Sequence, residues 1–193
     1  MTVAVLFARA DSVYKTLPDC DVYDIERDAR TYDGPHPVVA HPPCRAWATL
    51  RNHAKPRADE RNLARLSVSL VREFGGVLEH PNRTTLWKAQ SLPEVGARDQ
   101  YSGFTLVIDQ NWFGHRAQKR TRLYVVGCDP KNVPNMPMKL GEATHTVGLW
   151  SGRDKATCRP SIAKHEYEHT PPQLAEWLVE LAKRCKVGPP NAK

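Results

Sequence analysis

The sequence predicts a single α/β domain built around a mostly parallel β-sheet. Short apolar runs typical of buried parallel strands recur along the chain, and two strongly amphipathic helical segments lie among them. The 193 residues are 40% hydrophobic and 25% charged, which is enough apolar material for one domain with a core. We therefore expect one twisted sheet with helices on both faces over residues 1–186, followed by a flexible tail at 187–193.

The first three predicted strands are short and apolar. Val3 to Phe7 is the first, Asp21 to Tyr23 is the second, and Pro37 to Ala40 is the third. Two consecutive prolines end the third strand, because they remove backbone donors and force a turn. Cys44 follows them, so it is expected in a loop at the carboxyl end of a strand, where open α/β sheets place ligands.

The middle of the chain predicts one helix and three further strands. The helix extends from Asp59 to Phe74, with leucines at three- and four-residue spacing, and Gly75-Gly76 ends it. It leads into a strand at Val77-Leu78. Two more strands, at Thr105 to Ile108 and Leu123 to Val126, predict a closing β-hairpin in the otherwise parallel sheet.

The C-terminal part predicts a second long helix. Thr170 is expected to cap it, with Pro171 and Pro172 in its first turn. Weak periodicity between Asp129 and Thr170 predicts loops and one short hairpin before the helix. The helix has one apolar stripe that predicts core packing, made of Leu174, Trp177, Leu178, Leu181, Ala182 and Cys185.

The composition favours a nucleic acid as the partner of this chain. Twenty-eight Lys and Arg against 21 Asp and Glu leave a net charge of +7, which suits a polyanion such as DNA. No apolar run is long enough to span a membrane and no secretion signal begins the chain, so we expect no membrane partner and a cytoplasmic protein. Five cysteines without paired spacing predict reduced thiols rather than disulfides or a zinc site.

Three motifs flank successive predicted strands. Pro42-Pro43-Cys44 follows the third strand, and Glu79-His80-Pro81 follows the fourth. The third motif, Gln118-Lys119-Arg120-Thr121-Arg122, leads into the last strand. Each motif recurs by chance when taken alone, and only the ordered set of three points to one chemistry, the attack of a thiol on a pyrimidine ring.

The ordered set resembles the catalytic core of the DNA cytosine-5 methyltransferases. That family has a Pro-Cys nucleophile loop, a Glu-Asn-Val after the next strand and a Gln-x-Arg-x-Arg, and the resemblance covers roughly residues 1–127. It implies a Rossmann-like methyltransferase fold and a transferase that modifies pyrimidine C5 in DNA. The middle motif here reads Glu-His-Pro, so the carboxylate is retained without its neighbours.

The resemblance implies a role for each matched residue. Cys44 would add to C6 of the ring, Glu79 would contact its N3 edge, and Arg120 and Arg122 would stabilise the charge that develops on it. The other expected substrate-binding residues are Pro42, Pro43, Arg45, His80 and Gln118. Basic residues after Cys44, with Trp47 among them, would hold the DNA backbone around a base flipped out of the duplex.

The resemblance also implies S-adenosylmethionine as the cofactor. The family binds it over an aromatic-x-Gly-x-Gly turn after the first strand, where this chain has Phe7-Ala8-Arg9-Ala10-Asp11 and no glycine. The expected cofactor-binding residues are Phe7, Arg9, Asp24 and Glu26. Arg9 and Lys15 add positive charge at this point, which favours an anionic donor or leaving group.

Other functions remain open at this stage. The chain looks like compact methyltransferase-like proteins of bacteriophages, which implies a bacterial host cell and a non-methyl transfer onto an activated 5-substituted pyrimidine such as 5-pyrophosphorylmethyl-uracil. The segment between the Gln-x-Arg-x-Arg motif and the C-terminal helix is too short for the family's usual target-recognition domain, which leaves open recognition by a further protein. A DNA-binding protein without catalysis and a metal site built on His41, Cys44 and His80 are the remaining alternatives.

Overall fold

The computed structural model describes residues 1–137, 141–147 and 159–186. Within them the chain forms an α/β fold with one mixed, mostly parallel sheet of six strands and a separate pair of two-residue strands. The six strands are β1 (Val3–Leu6), β2 (Cys20–Val22), β3 (Val38–Ala40), β4 (Gly76–Pro81), β5 (Phe104–Asp109) and β7 (Arg120–Val126). The separate pair is β6 (Ala117–Gln118) with β8 (His145–Thr146).

The strand order of the large sheet is β2-β1-β3-β4-β7-β5. β1 pairs parallel with both β2 and β3, and β3 pairs parallel with β4. β7 is antiparallel to both of its neighbours, so every other strand runs in one direction. The predicted antiparallel hairpin of the last two strands is confirmed. The carboxyl ends of β1, β3 and β4 therefore meet at one edge of the sheet.

One long helix packs on each face of the sheet. Helix α1 (Glu60–Phe74) contacts β3, β4 and β7, and helix α3 (Pro172–Lys183) contacts β1, β3 and β4 on the opposite side. We call the two sides the α1 face and the α3 face. Alternate residues of β4 show the division, because Val77 packs in the cluster that contains α3 and Leu78 packs in the cluster that contains α1. A short helix, α2 (Leu86–Ala89), completes the α1 side.

Two strands are longer than the sequence predicts. β4 continues through Glu79 and His80 to Pro81, because each of these residues pairs with a residue of β7. β7 in turn begins at Arg120, well before the predicted start at Leu123. The charged residues of both motifs therefore lie within paired strands, where the neighbouring strand determines which face each side chain takes.

The C-terminal helix begins later than predicted. Pro171 takes the N-cap position and no side chain caps the helix, so the prediction of Thr170 as the cap is wrong. The segment before it contains 3₁₀ turns at Pro130–Asn132 and Lys164–Glu168. Instead of the predicted hairpin, the described part of this segment has β8, which is parallel to β6.

Some predictions fall outside the described residues. The tail at 187–193 and Cys158 are among them. The four cysteines within the described residues, Cys20, Cys44, Cys128 and Cys185, form no disulfide. No helix of the described chain is long and apolar enough to cross a membrane.

The turn from α1 into β4 depends on the second of two glycines. Gly75 closes the helix by donating its N–H to Val71 O, and Gly76 then starts β4 at a φ of 122°. A Cβ at Gly76 would lie 2.0 Å from the carbonyl oxygen of Val38 in β3. Backbone cannot move aside as a flexible side chain does, so only glycine permits the parallel pairing of β3 with β4 here.

Substitution of Gly76 should therefore be far more damaging than substitution of a glycine with similar backbone geometry in open space. Gly96 has a φ of 86° and nothing within 4 Å of its would-be Cβ. We expect Gly96→Ala to cost about 1 kcal/mol of unfolding free energy and Gly76→Ala to cost about 4 kcal/mol or more. Urea unfolding followed by circular dichroism measures both; equal costs would show that the close approach to Val38 is unimportant.

Candidate active site

The pairing of β3 with β4 places two ionisable side chains next to each other at the carboxyl edge of the sheet. Ala40 is in register with Leu78, so the following residues, His41 and Glu79, are neighbours. Because side chains alternate along a strand and Leu78 points to the α1 face, Glu79 points to the α3 face. The His41 side chain is 13% exposed and that of Glu79 is 15% exposed, so both groups are largely withdrawn from water.

A line of hydrogen bonds connects Tyr14, His41 and Glu79. The Tyr14 hydroxyl lies 2.9 Å from His41 Nε2, and His41 Nδ1 lies 3.2 Å from Glu79 Oε2. Burial and the charge of Glu79 raise the pKa of Tyr14 well above its usual value, so the phenol keeps its proton. The hydrogen-bond network therefore assigns the Nδ1 proton of His41 to the bond with Glu79.

The other oxygen of Glu79 is bound from a different part of the chain. Gln110, in a 3₁₀ turn directly after β5, donates from Nε2 to Glu79 Oε1 at 3.1 Å and to Thr121 Oγ1 at 3.0 Å. Gln110 is buried. The opposite orientation of its side-chain amide would place its oxygen against the carboxylate of Glu79, where two acceptors would face each other. These contacts hold the carboxylate of Glu79 in one position.

Glu79 is ionised at neutral pH. Burial raises the pKa of Glu79, but the hydrogen bond from His41, the electrostatic influence of that ring and the charge of Lys119 outweigh burial and lower it to about 2. Lys119 immediately precedes β7, two residues before Thr121, and the described residues place no ion-pair partner near it. The site thus contains a fixed carboxylate and the partly buried Lys119, whose charge acts on that carboxylate.

Cys44 belongs to the same electrostatic environment. Its carbonyl oxygen accepts the N–H groups of Trp47 and Ala48, both at 2.9 Å, which makes residues 44–48 one compact turn. Burial of the thiol and the charge of Glu79 raise the pKa of Cys44, and the charge of Lys119 lowers it. Glu79 and Lys119 therefore oppose each other in setting the fraction of thiolate.

Arg122 and Arg120 lie on the opposite face from Glu79. Directly paired residues of antiparallel strands share a face; Arg122 pairs with His80, whereas Glu79 pairs with Leu123. Arg122 donates from Nε to Asn82 Oδ1 at 3.2 Å and its guanidinium lies 5.7 Å from the centre of the Trp87 ring. The structure therefore does not bring these arginines together with Glu79, because period-two alternation directs Lys119 and Thr121 to that face instead.

His80 also lies on the α1 face, inside the core. Its side chain is 0% exposed, and neither ring nitrogen has a hydrogen-bond partner among the described residues. Burial lowers the pKa of His80 to about 4, so the ring is neutral at pH 7. A side chain in this position is closed off from a substrate at Cys44.

The remaining predicted substrate residues are dispersed. Pro42 is buried and Pro43 is partly buried, and both lie in the turn between His41 and Cys44. Arg45 forms an ion pair with Glu60, the buried first residue of α1, and this ion pair fastens the Cys44 loop to the helix. Gln118 is exposed in β6.

The residues predicted to bind S-adenosylmethionine do not fit it. Phe7 makes the turn after β1 with a φ of 62°, but the N–H of Ala8 is already bonded to Tyr23 O. Arg9 is paired with Asp11 and Glu168. Asp24, expected to bind a ribose, instead binds Lys15 Nζ at 2.6 Å and accepts two backbone N–H groups.

The paired carboxylates also remove the charge that the sequence places near β1. Asp11 and Glu168 offset Arg9, and Asp24 offsets Lys15. Glu26 lies exposed beyond Asp24 and contributes its N–H to that carboxylate. This corner of the molecule is therefore not an excess-positive site for an anionic donor.

Sequence reasoning gave no role beside Glu79 to three residues of the site, His41, Gln110 and Lys119; it named His41 only as a metal ligand and Lys119 only as part of the third motif. His41 carried a signal, because it directly follows a predicted strand and precedes the prolines. Lys119 lies between Gln118 and Arg120, which were both predicted to belong to the site. It differs from Arg120 in the face of the sheet to which its side chain points. Gln110 had no signal, since its place beside Glu79 results from the tertiary pairing of β5 with β7.

The described residues contain no group of three His, Cys, Asp or Glu side chains placed to hold a metal ion. His41, the first member of the metal alternative, instead has both ring nitrogens in the line from Tyr14 to Glu79. The chain matches no protein-family model, no curated protein and no solved structure. A function for this site must therefore be argued from its geometry and from the motifs that the chain contains.

The opposing charges at Cys44 predict opposite effects of two charge-removing variants. Glu79→Gln removes a charge that raises the pKa of Cys44, so alkylation by iodoacetamide at neutral pH should become several-fold faster. Lys119→Gln should make it several-fold slower. Peptide mass spectrometry measures the rate at Cys44, and Cys20, whose thiol the charge of Lys119 does not influence, is the internal control. Changes in the same direction would contradict this electrostatic arrangement.

Buried His80 predicts a pH dependence of stability. Its pKa in the folded protein is about 4 against an ordinary 6.5, so between these values the unfolded chain binds more protons. The contribution is fully present above pH 6.5 and is lost as the pH falls toward 4. We expect the unfolding free energy to fall by about 2 kcal/mol from pH 7 to pH 5.

The histidine responsible can be identified by substitution. His80→Leu should remove most of the loss measured by urea unfolding, whereas replacement of the exposed His53 by Ala should leave it unchanged. A slope that persists in His80→Leu would show that another group titrates.

Proposed function

We propose that this protein modifies C5 of a pyrimidine in DNA through a covalent bond between Cys44 and C6 of the ring. The observation that carries the proposal is the combination of a partly buried cysteine in a compact loop, an ionised carboxylate on the adjacent strand, and a lysine whose charge acts on both and which has no ion-pair partner among the described residues. A nucleophile, a group that orients the ring and a group that stabilises negative charge are the three parts that the chemistry needs.

The proposed reaction begins when the Cys44 thiolate attacks C6. The sulfur–C6 bond forms, and the C5=C6 electron pair moves to C5 and into the ring, where negative charge spreads to an exocyclic oxygen. C5 then takes a group from an electrophilic donor, whose leaving group departs with the electrons of the broken bond. A base accepts the C5 proton, the C5=C6 double bond re-forms and the sulfur–C6 bond breaks, with its electrons returning to sulfur. Cys44 is regenerated, and the product is a 5-substituted pyrimidine.

Glu79 and Lys119 suit complementary roles in this reaction. The ionised carboxylate of Glu79 can accept an N–H from the edge of the base, and His41 and Gln110 keep it in place. The ammonium of Lys119 suits the oxygen on which negative charge develops, and it also favours the thiolate of Cys44. Lys119 thus takes the part that the family resemblance gives to an arginine.

The fold and the overall charge are compatible with this proposal. An open, mostly parallel sheet is what the resemblance to a Rossmann-like methyltransferase implies, and the proposed site lies at the carboxyl edge where such sheets bind ligands. The net charge of +7 favours DNA as the partner. The residues after β1 do not fit S-adenosylmethionine, so the proposed reaction does not depend on this donor.

Exchange of the C5 hydrogen tests the covalent step without any donor. When sulfur adds to C6 in D2O, C5 takes a deuteron, and loss of the original proton leaves deuterium in the base. We expect single-stranded DNA containing deoxyuridine or deoxycytidine to gain one mass unit per target base, as measured by mass spectrometry of its nucleosides. Cys44→Ser should slow this exchange at least about a hundredfold and Lys119→Gln about a hundredfold.

Two controls make the exchange result specific. Cys20→Ser removes another partly exposed thiol and should retain full exchange. A parallel reaction with 5-fluorocytosine DNA and S-adenosylmethionine asks whether that donor is used, since fluorine at C5 cannot leave and the adduct would be trapped. Absence of exchange in the wild-type protein, or exchange that survives Cys44→Ser, would contradict the proposed function.

A further inference from the structure

An arginine-lined cavity lies directly beside the Cys44 turn. It has a volume of about 300 Å³, and Ala46, two residues after the nucleophile, forms part of its wall. All the residues that line it are described, and none of them is a carboxylate. The lining consists of Ala46, Arg51, Asn52, Pro56, Arg57, Ala58 and Arg61.

Arg61 is held in place by the core rather than by an acid. Its Nη2 donates to Ala46 O at 3.3 Å, and its guanidinium lies 4.7 Å from the centre of the buried Trp47 ring. A guanidinium stacked on an aromatic ring is oriented before any ligand binds, which lowers the cost of binding an anion. The wall of the cavity nearest to Cys44 is therefore preorganised.

The charges of the other two arginines of the cavity, Arg51 and Arg57, are only weakly neutralised by carboxylates. Among the described residues, no carboxylate lies within ion-pair distance of Arg51, which is partly buried. Arg57 lies 3.7 Å from both Asp59 and Glu60, beyond hydrogen-bond distance, and Glu60 is already bound by Arg45. Three guanidiniums around one cavity, with this little internal neutralisation, form a site for a multiply charged oxyanion.

We propose that this cavity binds a phosphate group at the Cys44 loop, an inference that rests on the proposed function for its biological role. A nucleotide whose ring contacts Cys44 brings its own backbone phosphates toward the adjoining turn. Free inorganic pyrophosphate has the same chemistry. The cavity thus takes over the anion-binding role that Arg9 and Lys15 cannot fill, since carboxylates neutralise both of them.

Arg51 is the residue to vary, because its guanidinium has no hydrogen-bond or ion-pair partner among the described residues whose loss would disturb the fold. Arg51→Gln is compared with Arg98→Gln, which makes the same charge change at an exposed position outside the cavity. Calorimetry with inorganic pyrophosphate and fluorescence anisotropy with a single-stranded thymidine oligonucleotide give two separate readouts. Anisotropy is repeated over a series of salt concentrations.

If the phosphate is that of the DNA backbone, Arg51→Gln weakens oligonucleotide binding about tenfold and lowers the slope of log K against log salt by about 0.7. If it is a free anion, the same variant abolishes pyrophosphate binding and leaves oligonucleotide binding unchanged. Either result supports the cavity, provided that Arg98→Gln changes neither readout. Equal behaviour of Arg51→Gln and Arg98→Gln in both experiments would overturn the proposal.

The outcomes for the cavity and for the proposed reaction can be separated. If the wild-type protein shows no C5 hydrogen exchange but binds phosphate in a manner that depends on Arg51, the proposed reaction is rejected and the proposed phosphate site is retained. If exchange is normal but phosphate binding does not depend on Arg51, the proposed phosphate site is rejected and the proposed reaction is retained.

Discussion

The buried negative charge of Glu79 is the constraint on which the carboxyl edge of this sheet depends. An ionised carboxylate withdrawn from water is costly unless donors and positive charges surround it. Here His41, Gln110 and Lys119 meet that requirement from three separate parts of the chain. The need to satisfy one charge therefore ties the end of β3, the turn after β5 and the start of β7 to the middle of β4.

The same arrangement disfavours ionisation of the Cys44 thiol in the free protein. Burial and the charge of Glu79 raise the pKa of Cys44, whereas the charge of Lys119 and a backbone hydrogen bond lower it. A ligand that engages Glu79 would weaken the repulsion of the thiolate and leave the influence of Lys119 in place. Under the proposed function, Cys44 would be activated only when a substrate binds, and its partly buried thiol would be protected from unwanted reactions until then.

Much of this fold is predictable from the sequence, because local patterns specify its elements. The apolar runs of β1 and β3 and the leucine spacing of α1 reflect burial on one or both faces, and glycines mark the end of the helix. The order of the motifs also predicts that Cys44 follows one strand and that Glu79 lies at the end of the neighbouring strand.

What local pattern cannot supply is the register of β4 against β7. That register directs Arg122 to the α1 face, keeps Lys119 near Glu79 and encloses His80. The place of Gln110 is likewise a tertiary result, as is the cap of α3, where two adjacent prolines displace the expected threonine.

The central claim is that Cys44 bonds reversibly to C6 of a pyrimidine, and fluorine NMR tests it most directly. An oligonucleotide with one 5-fluoropyrimidine carries its fluorine on an unsaturated carbon, which becomes saturated when sulfur adds to C6. The account predicts a second, strongly shifted fluorine resonance with the wild-type protein that is absent with Cys44→Ser. A spectrum unchanged by the wild-type protein, or a new resonance that persists in Cys44→Ser, would contradict it.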